Sequence, residues 1–186
     1  MSSMQNYVPI EPIPLELLKE PLVWLFAEHY RHRDVCLRLL SLVDVPVFEE
    51  VAYRDIYNFI HRDMPLHIID EEDDLFPLMR RRCSPDDGIE KILGMLSADH
   101  ADDMKDVGVV ESLLSTALAE RKSLCECADT LETVSEFCHQ QKRHIALENA
   151  VVLPIARHRL TPCDLMELGG RMAARRGLES PFGCAS

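Results

Sequence analysis

Basic residues are scarce in this chain of 186: 20 Lys and Arg stand against 32 Asp and Glu, a net charge of −12. Nucleic acid demands a basic surface, so that class of partner is set aside. Long apolar runs are missing as well. None approaches the ~18 residues of a membrane span, and the opening MSSMQNYVPIEPIP has neither the charged start nor the apolar core of a secretion signal. A cytoplasmic address without a membrane partner is the expectation. The seven cysteines (Cys36, Cys83, Cys125, Cys127, Cys138, Cys163 and Cys184) are odd in number and form no CxxC pair. Reduced, mostly packed thiols are therefore expected, with no rubredoxin-like centre to supply electrons from within. Strand-type alternation is absent too, and no signalling, DNA-binding or adaptor segment is recognisable.

What is present is a 47% hydrophobic content, enough for one domain with its own core, and it falls at helical spacing. Three prolines in residues 1–20 predict an extended start, and Pro21 is well placed to open a helix running to about Val43. Its apolar stripe is Leu22, Leu25, Phe26, Cys36, Leu37, Leu40 and Val43, with His29 filling the gap. A second helix is predicted from about Val47 to Arg82, interrupted or kinked at Asp63-Met64-Pro65. In it Asp70, Glu72 and Asp73 face outward. The run Cys83 to Gly88 is a loop. A third helix spans about Ile89 to Glu120, with Met104 on its apolar face and His100 where another apolar residue would stand. Asp129-Thr130-Leu131-Glu132 reads as a capping box for a fourth, ending near Arg159. Thr161-Pro162 restarts a short helix that Gly169-Gly170 weakens or ends. Arg171, Arg175 and Arg176 then form a basic island, either docking on the bundle or meeting an acidic partner. The fold class is all-α, an up-down-up-down four-helix bundle over residues 21–160, with an N-terminal segment (1–20) and a C-terminal short helix and tail (161–186).

One pattern occurs twice. His67 is followed by Glu71, Pro77 and Arg80; His144 is followed by Glu148, Pro154 and Arg157, at the same intervals of four, ten and thirteen. Residues four apart share a helical face, roughly 5–6 Å between Cβ atoms, so each copy aims an imidazole and a carboxylate together. Each copy is also preceded by a lone His following an acid, Glu28-His29 and Asp99-His100. A helix pair duplicated about a pseudo-twofold brings His29, His67, Glu71, His100, His144 and Glu148 to one centre. A single His on an apolar face is ordinarily a core residue. Six ionisable residues, all inward and in one pattern twice, need compensation that mutual hydrogen bonds alone do not give.

Mixed nitrogen and oxygen donors suit iron, manganese or zinc better than calcium or magnesium. Two carboxylates on opposite helices suit a two-metal centre, each bridging both ions. Two divalent ions carry four positive charges and two Glu cancel two, leaving room for an oxo, hydroxo or exogenous anion.

These residues, with Leu75-Phe76-Pro77 and Leu153-Pro154 trailing the pairs, resemble the hemerythrin-like (HHE cation-binding) domain over roughly residues 20–160. The resemblance implies a bundle holding two iron ions (Fe2+/Fe3+) with an oxo, hydroxo or water bridge. Glu71 and Glu148 would be the bridging carboxylates, and His29, His67, His100 and His144 the terminal ligands. Oxygen-carrying hemerythrins have a His-x-x-x-His pair in the third helix, where this chain has Met104 after His100, and an Asp where it has Glu148. Exchangeable positions on the irons follow, favouring turnover or sensing over oxygen storage. The implied functions are an oxidoreductase (peroxidase- or catalase-like) acting on dioxygen, peroxide or nitric oxide, or an iron- or oxygen-sensing or oxygen-binding module without turnover. A purely structural metal site is the third possibility. An electron-donor or partner protein would come from outside.

Around the centre, His32 is a candidate extra ligand or partner to one. Glu28, Asp99, Asp74 and Asp103 are candidates to hold the second ring nitrogen of a ligand His. Tyr30, Tyr53 and Tyr57 are candidates to donate to a bound peroxide, with packing as their plain role. His61 and His139 point off their helices' ligand faces. His158 lies fourteen residues beyond His144, ~21 Å at the helical rise. All three are excluded.

Overall fold

The computed structural model describes residues 7–127 and 129–182, and among them every regular element is helical. Four long helices form the bundle: α1 (Pro21–Asp44), α2 (residues 50–82), α3 (Ile89–Glu120) and α4 (residues 130–159). A fifth, α5 (Pro162–Arg175), packs on α1 and on the middle of α2. Pro21 stands at the first position of α1, where a missing N–H costs nothing. The connections 45–49, 83–88 and 121–129 are too short to return along a helix, so each helix turns back on the one before. No helix among the described residues is long and apolar enough to cross a membrane.

Neither α2 nor α4 is regular throughout. Wide π turns occupy Phe59–Asp63 and Asp70–Leu75 in α2 and Glu148–Val152 in α4. Each lies just ahead of a proline: Pro65, Pro77 and Pro154. Proline has no N–H and its ring crowds the carbonyl four residues back. The residue before each proline instead donates to the carbonyl five back: Met64 to Phe59, Phe76 to Glu71, Leu153 to Glu148. The break expected at Asp63-Met64-Pro65 is thus absorbed as a wide turn inside a continuous helix. In both copies of the repeat the carboxylate lies at the start of the wide turn, Glu71 as its second residue and Glu148 as its first, a placement typical of functional sites.

Other expectations are corrected by packing. Helix α2 begins at Glu50, not Val47. The capping box at Asp129 does not form: the residue takes a left-handed φ of 64° and its side chain makes no cap bond. Capping boxes appear instead at Ser84/Asp87, inside the predicted loop, and at Thr161/Asp164, which starts α5. A 3-10 turn, Leu15–Lys19, stands within the segment expected to be extended, whose residues 1–6 lie outside the described residues. Gly169-Gly170 does not end α5. A Cβ on Gly169 would meet the Leu18 carbonyl oxygen at 2.3 Å, so the absent side chain is what lets α5 dock. Phe26, Leu37 and Met104, assigned to inward stripes, are exposed.

Two apolar clusters form the core. One contains Leu22, Leu25, Leu75, Phe76, Leu96 and Val152; the other contains Val35, Leu39, Ile60, Val107, Val110 and Phe137. Each long helix contributes to both, and between the two clusters each contributes polar residues to one buried belt. Cys36 and Cys138 are buried, with the Cys138 thiol donating to the Cys36 carbonyl at 3.5 Å. Cys125, Cys127 and Cys163 are exposed, against the packed expectation; all six described cysteines are free, and Cys184 lies outside the described residues.

Candidate metal centre

The belt brings all six repeat residues together. His29 comes from α1, His67 and Glu71 from α2, His100 from α3, and His144 and Glu148 from α4. All are buried, both carboxylates completely. They divide into two overlapping groups: His29, His67, Glu71 and Glu148, and Glu71, His100, His144 and Glu148, each with ligand-type atoms within 4.8 Å of one another. Both glutamates belong to both groups, as a bridging role requires.

The distances fit coordination of a cation. Nε2 of His29 stands 3.6 Å from Glu71 and 3.3 Å from Glu148; Nε2 of His100 is 3.3 Å from Glu71; Nε2 of His67 is 3.5 Å from Glu71. His144 and Glu148 are at 3.0 Å. Donors each about 2.1 Å from one ion stand ~3.0 Å apart at a right angle and ~3.4 Å apart at the tetrahedral angle. The atoms facing the centre are also the orphans of the interior. Nε2 of His29 and His100, both Glu71 oxygens and Oε2 of Glu148 are buried without a hydrogen-bond partner. Native interiors rarely leave such atoms unpaired, and a cation is the partner these donors suit.

The other ring nitrogen of His29, His67 and His100 is held from a neighbouring helix, and that of His144 faces Asp99 without a hydrogen bond. The four facing residues obey the same pseudo-twofold as the ligands. The residue before each lone His faces the paired His of its own half: His67 Nδ1 donates to Glu28 at 3.0 Å, and Asp99 lies 3.8 Å from His144 Nδ1. The residue after each glutamate faces the lone His of the other half: His100 Nδ1 donates to Glu72 at 2.6 Å and His29 Nδ1 to Asn149 at 2.8 Å. Acceptors at Nδ1 leave the Nε2 lone pairs for the centre. Glu28 and Asp99 were recognisable as candidates. Glu72, expected to face solvent, and Asn149 were not singled out, although their shared position after the glutamate was the available signal.

Charge is strongly polarised inside the belt. Burial pushes the His67 imidazole down, but the Glu71 and Glu28 carboxylates outweigh it and lift it to about 9. His100 is pushed down by burial too and is lifted by Glu71 and Glu72 to about 10. Burial works to raise Glu71, yet the surrounding imidazoles hold it well below the usual carboxylate range.

The remaining candidates fall outside both groups. His32 is buried with its ring 4.6 Å from that of His67, and burial pushes its imidazole well down, so it is neutral. Tyr30 is exposed, Tyr53 donates to Ser123 and accepts from Leu124 N, and Tyr57 donates to Glu111; none reaches the centre. His61 pairs with Glu111, and His139 and His158 are exposed. Asp74 serves α5, while Asp103 borders a void of about 10 Å3 together with His32, His67, His100, Gln141 and His144. On its outer side His144 lines a larger cavity of about 570 Å3, with Asp99, Asp102, Asp103, Asp106 and Arg143.

A family model described as the hemerythrin HHE cation binding domain matches residues 20–156. The chain belongs to this family. The matched HHE region contains all six belt residues and ends before α5, so the fifth helix lies outside it. No match to a curated protein reaches significance.

Proposed function

We propose that this HHE protein is a non-haem di-iron protein that binds or reacts with dioxygen, peroxide or nitric oxide. One iron would be held by His29 and His67, the other by His100 and His144, with Glu71 and Glu148 shared. The observation that carries the reading is the set of buried, unpartnered Nε2 and carboxylate atoms converging from four helices. Zinc and manganese satisfy the same donors; two histidines per ion and shared carboxylates suit iron equally, and the family is one of cation binders. When bound, an iron pair supplies one- and two-electron chemistry toward a small oxidant.

The chain's own part is positioning and enclosure. Glu28, Glu72 and Asn149 fix three imidazole rings, and the wide turns fix the two carboxylates on the helices that carry them. The flanking apolar clusters keep bulk water out. The void beside the rings, about 10 Å3, admits a molecule of only a few atoms. Electrons for any turnover would come from an external donor.

Metal content, with optical spectra recorded under air, peroxide and nitric oxide, tests the proposal. Two irons per chain and spectra that respond to peroxide or nitric oxide are expected. Reversible dioxygen uptake without turnover would favour an oxygen-binding module over an enzyme. Stoichiometric zinc with no spectral response would contradict both.

A further inference from the structure

The three arginines of the basic island all dock on the bundle, and each meets a buried acid. Arg171 reaches Asp74 at 3.0 Å, and Arg175 pairs with Asp74 at 2.8 Å and with Asp70. Arg176, just past the end of α5, reaches deeper. It pairs with Asp70 at 2.7 Å and donates to Glu28 at 2.9 Å, with its guanidinium over the Trp24 ring. Glu28 in turn accepts from His67 Nδ1 through its other oxygen. Asp70, expected to be solvated, is fully buried because α5 covers it.

We infer that Arg176 is a positioning residue for the cation held by His29 and His67: it fixes Glu28, Glu28 fixes the His67 ring, and affinity at that position therefore depends on the docking of α5. This inference rests on the two-metal reading. Glu28 is a buried carboxylate with two strong partners, one per oxygen. Remove Arg176 and one of its two hydrogen-bond partners, the only permanently charged one, is gone, so it no longer holds one orientation. The ring it steers then loses both alignment and basicity; changes to such holding groups typically cost about 10- to 100-fold in metal affinity. Anchoring of α5 itself does not require Arg176, since Arg171 and Arg175 grip Asp70 and Asp74 and Arg82 grips Asp164 through two bonds of 2.8 Å. The other half is built differently. Asp99, the counterpart of Glu28, is partly exposed and has no arginine partner among the described residues. The coupling is thus confined to one of the two positions, and linkage makes it reciprocal: cation binding there steadies α5.

Stepwise calorimetric titration of the full chain with Fe2+ under anaerobic conditions tests this. Arg176→Gln should weaken one of two binding steps about 10- to 100-fold and spare the other, while Arg171→Gln spares both. In a Glu28→Gln background, itself weakened at the same step, Arg176→Gln should add nothing. In the wild-type chain Fe2+ should slow hydrogen exchange at residues 172–176. Both steps unchanged or equally weakened in Arg176→Gln, a full additional loss in the Glu28→Gln background, or unaltered exchange would each overturn the inference and leave the two-metal reading standing. A wild-type chain that takes up no second Fe2+ would overturn that reading and the inference with it.

Discussion

At the scale of residues, the centre is governed by which helix holds which ring. Glu71 and Glu148 are the only carboxylates belonging to both cation groups among the described residues, so their loss removes what the two positions share. Glu71→Ala or Glu148→Ala should leave at most one equivalent of metal by elemental analysis, whereas His139→Ala, on an exposed position, should retain the wild-type content. Protons compete for the same atoms. The imidazoles of His67 and His100 are raised to about 9 and 10 from an ordinary value near 6.5. Their contribution to the metal-free fold is complete below about 6.5 and is lost as pH rises through 9 to 10. Cations displace these protons, so apparent affinity should climb from pH 6.5 to 8.5 and titrations should release protons; a flat profile would contradict the assignment. The ligands themselves were legible because each His interrupts an apolar stripe and each pair sits one turn apart. Glu72 and Asn149 were not, because each points to a helix of the other half, and only the packing of the bundle creates that encounter.

At the scale of elements, proline and glycine decide what the apolar pattern leaves open. The four long helices were readable from spacing, and the start of α3 at Ile89 follows from the loop before it, whereas no Gly or Pro between Leu113 and Thr130 marks its end. The wide turns were not: Pro65, Pro77 and Pro154 signal a disturbed ladder, but whether a helix breaks or widens depends on whether its neighbours hold it in line. Gly169 misleads for a related reason. Taken alone it weakens a helix, while in the bundle it is the point of closest approach between α5 and Leu18. Gly169→Ala should therefore destabilise the chain by about 1–3 kcal/mol in denaturant unfolding, the usual cost of overpacking, instead of the small gain expected of Ala in an open helix. Thr161 caps α5 by accepting from Asp164 N and donating to the Asp164 carboxylate at 2.7 Å. Thr161→Ala should cost about 1 kcal/mol by the same measurement.

At the scale of the whole molecule, a polar belt of four imidazoles and two carboxylates is clamped between two apolar clusters, and every long helix crosses all three zones. Charge buried in this way strains a metal-free bundle and steadies a loaded one, so bound metal should raise the unfolding temperature in a concentration-dependent manner. The central claim is narrower than stability: two cations share Glu71 and Glu148. X-ray absorption at the iron edge on the loaded protein addresses it most directly. The account predicts nitrogen and oxygen neighbours near 2.0–2.2 Å, an estimate from the donor types, together with a metal–metal distance of roughly 3.5–4 Å. Iron neighbours of nitrogen and oxygen alone, with no second metal at that distance in a fully loaded sample, would contradict it.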